Sequence, residues 1–96
     1  MATPATATTL KPIRIYTTPS CGYCVRAKTL LKQRGYPFQE VDVAGDATKR
    51  AWLVEVTGRR TVPQIFFGDE SIGGFDDLNA LDRAGTLADR LRADAR

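Results

Sequence analysis

The chain has 96 residues, which is enough for one domain with a modest hydrophobic core and too few for two. No apolar run approaches the ~18 residues of a membrane-spanning helix, and the composition is that of an ordinary globular protein. The net charge is +3, but the 14 basic residues are interleaved with 11 acidic ones and no basic run alternates with aromatic residues. This pattern argues against nucleic acid as a partner and favours a small anionic ligand or an acidic partner.

The first residues, Met1 to Leu10, are rich in alanine and threonine. They lack the basic and apolar regions of a secretory signal and the arginines of an organelle-targeting peptide. We therefore predict a short flexible tail over residues 1–11, a folded domain over residues 12–96 and a cytoplasmic location. In that reducing compartment a close cysteine pair is more often catalytic or metal-binding than structural.

Strands and helices alternate in the first half of the chain. Ile13-Arg14-Ile15-Tyr16 has the alternating, β-branched character of a strand. A helix is predicted to begin at Gly22 and to end just before Gly35, because glycine is common at the position after the last helical turn. The apolar face of this helix is formed by Ala27, Leu30 and Leu31.

A second strand, over Phe38 to Val43, is followed by a second helix. Asp46 is the expected N-cap of this helix, and Gly58 ends it. Its buried stripe is expected to consist of Trp52, Leu53 and Val56. Because short links join strand, helix and strand, the first two strands should be parallel, with a right-handed crossover.

The second half of the chain begins with a hairpin. Val62-Pro63-Gln64-Ile65-Phe66-Phe67 is typical of a buried strand, Gly68-Asp69-Glu70 of a turn and Ser71-Ile72 of the start of the returning strand. Gly73-Gly74 then leads into a helix that ends at Gly85 and directs Leu78 and Leu81 inward.

A last short helix is predicted after Gly85. It would carry Leu87 and Leu91, with Thr86 and Asp89 as a capping box. The main elements before it follow the order β-α-β-α-β-β-α. We predict an α/β fold in which helices flank a central four-stranded mixed sheet.

Both cysteines lie in Cys21-Gly22-Tyr23-Cys24, where the first strand gives way to a helix. Thiols at this spacing can close into a small disulfide and reopen, which is dithiol redox chemistry. The helix macrodipole and the free amides of Tyr23 and Cys24 are expected to favour the thiolate of Cys21, which is both the nucleophile and the leaving group in disulfide exchange. Cys24, one turn further in, should keep a higher pKa and act as the resolving thiol.

Two other interpretations of the cysteine pair are weaker. A structural disulfide that closes so small a loop gives little stabilisation and is unusual in a reducing compartment. A zinc site within one chain would lack ligands, because two thiolates fill two of four positions and the sequence has no histidine. Without a third cysteine, the pair must act on another molecule or on a second copy of the chain.

Three motifs, in order, resemble those of a dithiol (class I) glutaredoxin. They are Tyr16-Thr17 with Cys21-Gly22-Tyr23-Cys24, then Thr61-Val62-Pro63, then Gly73-Gly74-Phe75-Asp76-Asp77-Leu78. The resemblance implies the thioredoxin fold and a glutathione-dependent oxidoreductase that reduces protein disulfides and glutathionylated proteins. The implied partners are glutathione, those proteins and, through glutathione, glutathione reductase. We expect a monomer.

The same resemblance implies a glutathione site. In the family the proline that corresponds to Pro63 is cis, which would turn the backbone of Val62 toward the thiols, where a substrate backbone could pair with it. Gly74 would permit close backbone approach, and the amides of Phe75 and Asp76 would hold the γ-glutamyl carboxylate. Asp76 would also accept a hydrogen bond from the ammonium group of glutathione.

At the other end of glutathione, the glycyl carboxylate needs a cation. Arg50 occupies the position where the family has Arg, Lys or Gln for this task, and Arg59 and Arg60 are nearby candidates. Tyr23 is expected to flank the reactive sulfur. Thr61 completes the predicted glutathione-binding set as the first residue of its motif.

Two positions depart from the common family pattern. Gly22 replaces a proline, which loosens the helix start, and Thr18 stands where many members have a lysine that would stabilise thiolate and ligand. Family members with a small residue in place of that proline tend to bind a [2Fe–2S] cluster at a dimer interface. There Cys21 from each of two copies and two glutathiones would supply the four thiolates. Apart from that case, no metal site is expected.

A further alternative is a redoxin that receives electrons from a flavoprotein thioredoxin reductase. Arg50 and Gly74-Phe75-Asp76 argue against this alternative, because these features indicate a groove for glutathione. The choice of electron donor therefore separates the two oxidoreductase hypotheses.

Overall fold

The computed structural model describes residues 9–93 and shows one mixed sheet with helices on both faces. The four-stranded α/β architecture predicted from the sequence is confirmed. In chain order the elements are β1 (Ile13–Thr17), α1 (Gly22–Gln33), β2 (Gln39–Asp42), α2 (Ala47–Thr57), β3 (Gln64–Phe67), β4 (Glu70–Gly73), α3 (Phe75–Arg83) and α4 (Leu87–Leu91).

The strands lie in the order β2-β1-β3-β4, so that β2 and β4 form the two edges of the sheet. β1 and β2 are parallel, as expected for two strands joined through a helix. β1 and β3 are antiparallel, with Ile15 opposite Ile65, and β3 continues through a tight turn into antiparallel β4. This arrangement brings the end of β1, the start of β3 and the end of β4 to the same edge of the core, where α1 and α3 begin.

The larger part of the core lies between the sheet and the helices α1, α3 and α4. Alternation along the strands places Ile15, Ile65 and Phe67 on this face, where the apolar sides of the three helices cover them. The buried members of this cluster are Ile13, Ile15, Ala27, Leu30, Leu31, Ile65, Phe67, Leu78, Leu87 and Leu91.

The opposite face of the sheet carries a smaller cluster of Tyr16, Val43, Leu53 and Phe66 beneath α2. Here the predicted buried stripe of α2 is wrong at two of its three positions. Leu53 is 3% exposed, whereas Trp52 is 40% exposed and Val56 is 46% exposed. Among the described residues, α2 is the one helix that contributes to this cluster. No neighbouring helix therefore covers the sides of α2, which leaves Trp52 and Val56 exposed. The Trp52 ring instead packs at the margin of the sheet, 5.7 Å from the Tyr16 ring.

The predicted ends of α2 are correct, and the predicted start of α4 is not. Asp46 is the N-cap of α2, with its carboxylate accepting from the Lys49 amide at 2.9 Å, and Gly58 ends the helix with φ of 72°. The capping box predicted for α4 is wrong. The Thr86 hydroxyl donates to the Leu81 carbonyl at 3.3 Å, because the link between α3 and α4 is short enough for this side chain to bond back to the preceding helix.

Residues 1–8 of the predicted tail lie outside the described residues. Thr9 and Lys11 are hydrogen-bonded to the other end of the domain, and Leu10 between them pairs with Arg92. The Lys11 amide donates to the Leu91 carbonyl at 2.7 Å, and the Ala93 amide donates to the Thr9 carbonyl at 2.8 Å. Over the described range 9–93, none of the helices combines the length and apolar character needed to cross a bilayer.

Candidate active site

Cys21 is the N-cap of α1, and its sulfur takes the place of the oxygen that usually caps a helix. The Cys24 amide donates to Cys21 Sγ at 3.0 Å, and the Cys21 thiol donates to the Val62 carbonyl at 3.5 Å. Of the two amides expected to contact the sulfur, the structure shows the one from Cys24. Tyr23 and Cys24 occupy the second and third helical positions, either of which can donate to a capping atom, and here the donor is Cys24. The Cys24 amide and the N-terminus of α1 both place positive partial charge beside the Cys21 sulfur.

Cys24 is 1% exposed, and its pKa is raised to about 12. Burial is the largest cause, and the hydrogen bond with Cys21 adds to it, while a backbone hydrogen bond from Thr18 acts in the opposite direction. The expectation of a higher pKa for Cys24 is confirmed. At neutral pH this thiol is protonated, so the accessible Cys21 is the sulfur available to attack first.

The segment before β3 forms one wall beside the cysteines. The Val62–Pro63 peptide bond is cis, as the resemblance implies. Gln64 is fully buried, and its amide nitrogen donates to the Thr61 carbonyl at 2.9 Å, which fixes the loop relative to the strand. Thr61 and Val62 thus reach the site from a rigid element.

The facing wall is the start of α3. Gly74 is the N-cap, and an added Cβ there would lie 3.4 Å from the Pro63 carbonyl oxygen, in van der Waals contact, so the two walls are adjacent. The Asp77 carboxylate accepts from the Gly74 amide at 2.9 Å. The amides of Phe75 and Asp76 belong to the first helical turn, where backbone donors have no partner within the helix.

Arg59 links the two walls. Its guanidinium lies 3.0 Å from the Asp77 carboxylate, and the Gly74 amide and Arg59 together hold the pKa of Asp77 below its ordinary value, with the amide making the larger contribution. Asp77 is thereby compensated, whereas Asp76, beside the free amides at the start of α3, forms no salt bridge with any residue in the range 9–93.

A groove runs past Cys21 between these walls, and we call it the active-site groove. It comprises a cavity of about 250 Å³ and an adjoining one of about 360 Å³, and both include Arg59, Thr61 and Val62. The first cavity brings together seven of the eight residues predicted to bind glutathione. They are Tyr23, Thr61, Val62, Pro63, Gly74, Phe75 and Asp76.

The eighth predicted residue, Arg50, lies in the adjoining cavity together with Arg60. Its guanidinium donates to the Arg60 carbonyl at 3.4 Å. The groove therefore offers free amides and a carboxylate at one end and a cluster of arginines at the other, with the Cys21 sulfur near the wall that both cavities share. Such a groove matches an elongated molecule with carboxylates at both ends and an amine at one of them.

Comparison with known proteins is consistent with this geometry. The family model described as glutaredoxin matches residues 13–72. A glutaredoxin from Pseudomonas aeruginosa is 49% identical over 84 residues, which is 88% of this chain and 100% of that protein. The chain belongs to the glutaredoxin family.

Solved glutaredoxin structures share the fold. The solution structure of a glutaredoxin from Brucella melitensis has a TM-score of 0.79 and 42% identity, covering 91% of this chain and 95% of that one. The crystal structure of a buckwheat glutaredoxin–glutathione complex also has a TM-score of 0.79, with 34% identity, covering 84% of this chain and 76% of that one. The protein is thus a thiol oxidoreductase with the thioredoxin fold.

Two features of the glutaredoxin site were missed at the sequence level. The sequence assigns Asp77 to a motif without a role, and it predicts Arg59 as a ligand of the glycyl carboxylate rather than as the partner of Asp77. The signal for Asp77 was present in the sequence, because an acidic residue three positions after a helix N-cap commonly bonds back to the cap amide. The signal for Arg59 was not, since the two residues are 18 positions apart.

Proposed function

We propose that this glutaredoxin reduces glutathionylated proteins and protein disulfides with electrons from glutathione, with Cys21 as nucleophile and Cys24 as resolving thiol. One observation carries the proposal. The accessible sulfur of Cys21 caps α1 beside a groove that has free amides at one end and arginines at the other.

The monothiol branch acts on a protein–glutathione mixed disulfide. The Cys21 thiolate attacks the glutathione sulfur, an S–S bond forms between Cys21 and glutathione, and the protein leaves as a thiolate that takes up a proton. A second glutathione thiolate then attacks the glutathione sulfur bound to Cys21. Glutathione disulfide is released and the Cys21 thiolate is regenerated. One of its two glutathiones comes from the substrate and the other from solution.

The dithiol branch acts on a protein disulfide. Cys21 attacks one substrate sulfur and the other leaves as a thiolate. Cys24 then loses its proton and attacks Cys21, which forms the Cys21–Cys24 disulfide and releases the reduced protein. Two glutathiones return this disulfide to the dithiol and become glutathione disulfide.

The orientation that we propose for glutathione follows the charges of the groove. The γ-glutamyl carboxylate meets the amides of Phe75 and Asp76, and the Asp76 carboxylate accepts from the neighbouring ammonium group. The glycyl carboxylate meets Arg50, with Arg60 beside it in the same cavity. The cysteinyl part then lies along Val62, whose carbonyl is 3.5 Å from the Cys21 sulfur.

Replacement of each cysteine tests the roles separately. Cys21→Ser should abolish the protein-catalysed release of glutathione from a glutathionylated peptide, because the remaining thiol, Cys24, is buried and protonated. Cys24→Ser should retain that release and lose the reduction of a protein disulfide. Both activities are followed by NADPH oxidation coupled through glutathione reductase. Release at an undiminished rate by Cys21→Ser would refute the assignment.

The electron donor is tested with the unaltered protein. Substrate reduction coupled to glutathione and glutathione reductase should proceed, whereas thioredoxin reductase without glutathione should not support it. The reverse result would make the protein a redoxin fed by the flavoprotein. The cytoplasmic location and the monomeric state stay predictions, and sedimentation of the reduced protein tests the second.

A second candidate is binding of a [2Fe–2S] cluster by two copies of the chain. Among the described residues nothing lies within 4 Å of the space that a side chain at Gly22 would fill, so a second copy could approach Cys21 from that side. One copy offers a single accessible thiolate, since Cys24 is buried, and two copies with two glutathiones would reach the four that a cluster needs. Anaerobic reconstitution with glutathione should give a coloured dimer, and a colourless monomer would reject the candidate.

A further inference from the structure

A second groove lies between α1 and α3, on the other side of Phe75 from the active-site groove, and we call it the α1–α3 groove. Its volume is about 520 Å³, and Phe75 lines this cavity as well as the one beside Cys21. The Tyr23 ring stacks on Phe75 with centroids 6.1 Å apart. Tyr23 and Phe75 therefore form a shared aromatic wall between the two grooves.

The charge of the α1–α3 groove is predominantly positive. Three arginines line it, Arg26, Arg34 and Arg83, together with one carboxylate, Asp82. Arg34 contacts Asp82 through two hydrogen bonds of 2.7 and 2.8 Å, so these charges compensate each other and tie α1 to α3. Within residues 9–93, neither Arg26 nor Arg83 takes part in a salt bridge.

The remaining lining suits a peptide. Thr29, Gln33 and Asn79 offer side-chain donors and acceptors that can pair with a peptide backbone, and Val25 is an exposed apolar residue, 55% accessible, at the end nearest the cysteines. Arg26 lies over the Tyr23 ring, 5.4 Å from its centroid, at the same end.

The groove begins one helical turn from the reactive sulfur. The Val25 amide donates to the Cys21 carbonyl at 3.2 Å, and one turn of helix advances about 5.4 Å. A polypeptide joined to Cys21 through a disulfide could therefore place its glutathione part, or one flank, in the active-site groove and its next residues in the α1–α3 groove.

We propose that the α1–α3 groove binds an acidic segment that flanks the reactive cysteine of a protein substrate. Arg26 and Arg83 would pair with the carboxylates of that segment, while Gln33 and Asn79 would bond its backbone. The proposal rests on the proposed function and adds the class of protein substrate. These substrates are proteins in which aspartate or glutamate precedes or follows the reactive cysteine.

The test compares three glutathionylated substrates. They are free cysteine joined to glutathione, a peptide with acidic residues beside its cysteine, and the same peptide with lysines in their place. The kcat/KM for the acidic peptide should exceed that for the lysine peptide about fivefold or more, mainly through a lower KM. Electrostatic steering of association is worth ten- to a thousandfold at low salt, and salt screens it.

The decisive variant is Arg83→Glu, and Lys32→Glu is its matched control. Lys32 is an exposed cation of α1 that does not line the groove, so both variants change the net charge equally. Arg83→Glu should reverse the preference in favour of the lysine peptide, and Lys32→Glu should keep the original preference. Both variants should reduce the cysteine–glutathione mixed disulfide at the rate of the unaltered protein.

Three results would overturn the proposal. The first is equal use of the two peptides by the unaltered protein. The second is an equal loss of preference in Arg83→Glu and Lys32→Glu, which would make the effect one of net charge. A dimer that Arg83→Glu dissociates would also overturn it, by assigning the groove to a second copy. Failure to reduce the small mixed disulfide would instead refute the proposed function, so the two failures are distinguishable.

Discussion

The two cysteine thiols lie three residues apart, yet their surroundings give them opposite properties. Cys21 is accessible and receives a hydrogen bond from an amide, whereas burial and contact with Cys21 raise the pKa of Cys24 to about 12. Once Cys21 carries a substrate in a mixed disulfide, its sulfur bears no charge. The charge repulsion and the hydrogen bond from Cys21, which both raise the pKa of Cys24, then weaken. Cys24 therefore ionises more readily at the stage at which it attacks the mixed disulfide.

The resolving step should therefore depend on pH. A raised pKa means that Cys24 is protonated at neutral pH, and below its pKa each added pH unit raises the thiolate fraction about tenfold. Release of reduced product from a protein disulfide, measured in single turnover, should accelerate steeply from about pH 6 to about pH 9.

The Cys24→Ser variant is the control for this pH dependence. Its attack on a glutathionylated peptide in single turnover, without free glutathione, does not require Cys24, so release of the peptide thiol should rise less steeply over the same interval. If product release from a protein disulfide is no steeper in pH than the reaction of Cys24→Ser, then ionisation of Cys24 does not control resolution.

Gly73 shows how a single position shapes the wall of the site. Its φ is 112°, and an added Cβ would overlap the Asp77 carboxylate and come within 3.1 Å of the Arg59 guanidinium. Gly35, after α1, also has a positive φ of 78° but faces open space. Substitution of either glycine strains the backbone, whereas substitution of Gly73 also creates a steric conflict.

Gly73→Ala should therefore destabilise the protein more than Gly35→Ala does. Left-handed backbone strain costs about 1–2 kcal/mol in each variant, and the overlap should add about 1–3 kcal/mol in Gly73→Ala. Urea unfolding measures the difference, and equal losses in the two variants would show that Asp77 moves aside freely.

Among the helices, α3 connects the core to the site most directly. Leu78 is fully buried, and its amide closes the first turn by donating to the Gly74 carbonyl at 3.1 Å. Packing of this one side chain thus fixes the turn that supplies the free amides of Phe75 and Asp76.

Leu78→Ala should lower the free energy of unfolding by about 2–5 kcal/mol, as expected for a fully buried leucine. It should also raise KM for glutathione more than it lowers kcat, because the carboxylate-binding turn shifts while Cys21 stays in place. Leu81→Ala, one turn later and partly buried, is the control and should leave KM unchanged. The expectation would be contradicted if the two variants raised KM equally.

The sequence predicted both ends of α2, where the determinants are local. Asp46 and Gly58 act through backbone groups within a few residues, so their roles could be inferred without the fold. Trp52 and Val56 could not be inferred in the same way, because their burial depends on whether another helix covers the flank of α2. Periodicity indicates which side of a helix faces the core and not how wide the covered strip is.

For the whole molecule, the fold class followed from alternating strands and helices, and the candidate site residues followed from the resemblance to the glutaredoxin family. The contacts that fix one element against another were not predicted. Arg34 and Asp82 are 48 positions apart and join α1 to α3, while Arg59 joins the loop before β3 to α3. Such ion pairs depend on the final packing and leave no periodic or local pattern in the sequence.

The bonds between the two ends of the described chain yield a further prediction. A variant that lacks residues 1–8 keeps the backbone bonds of Thr9 and Lys11 and is the reference. A variant that lacks residues 1–11 loses the two backbone bonds to Leu91 and Ala93 and should be less stable by about 1–3 kcal/mol. Urea unfolding of both variants checks this, and equal stability of the two would contradict it.

The outer strands of the sheet bear on how the protein behaves in concentrated solution. β2 and β4 each have four residues and carry charged side chains, Glu40 and Asp42 on one and Glu70 on the other. Short, charged outer strands are poor templates for the addition of a strand from another molecule. The folded protein should accordingly resist fibrillar aggregation even though its sheet is open on both sides.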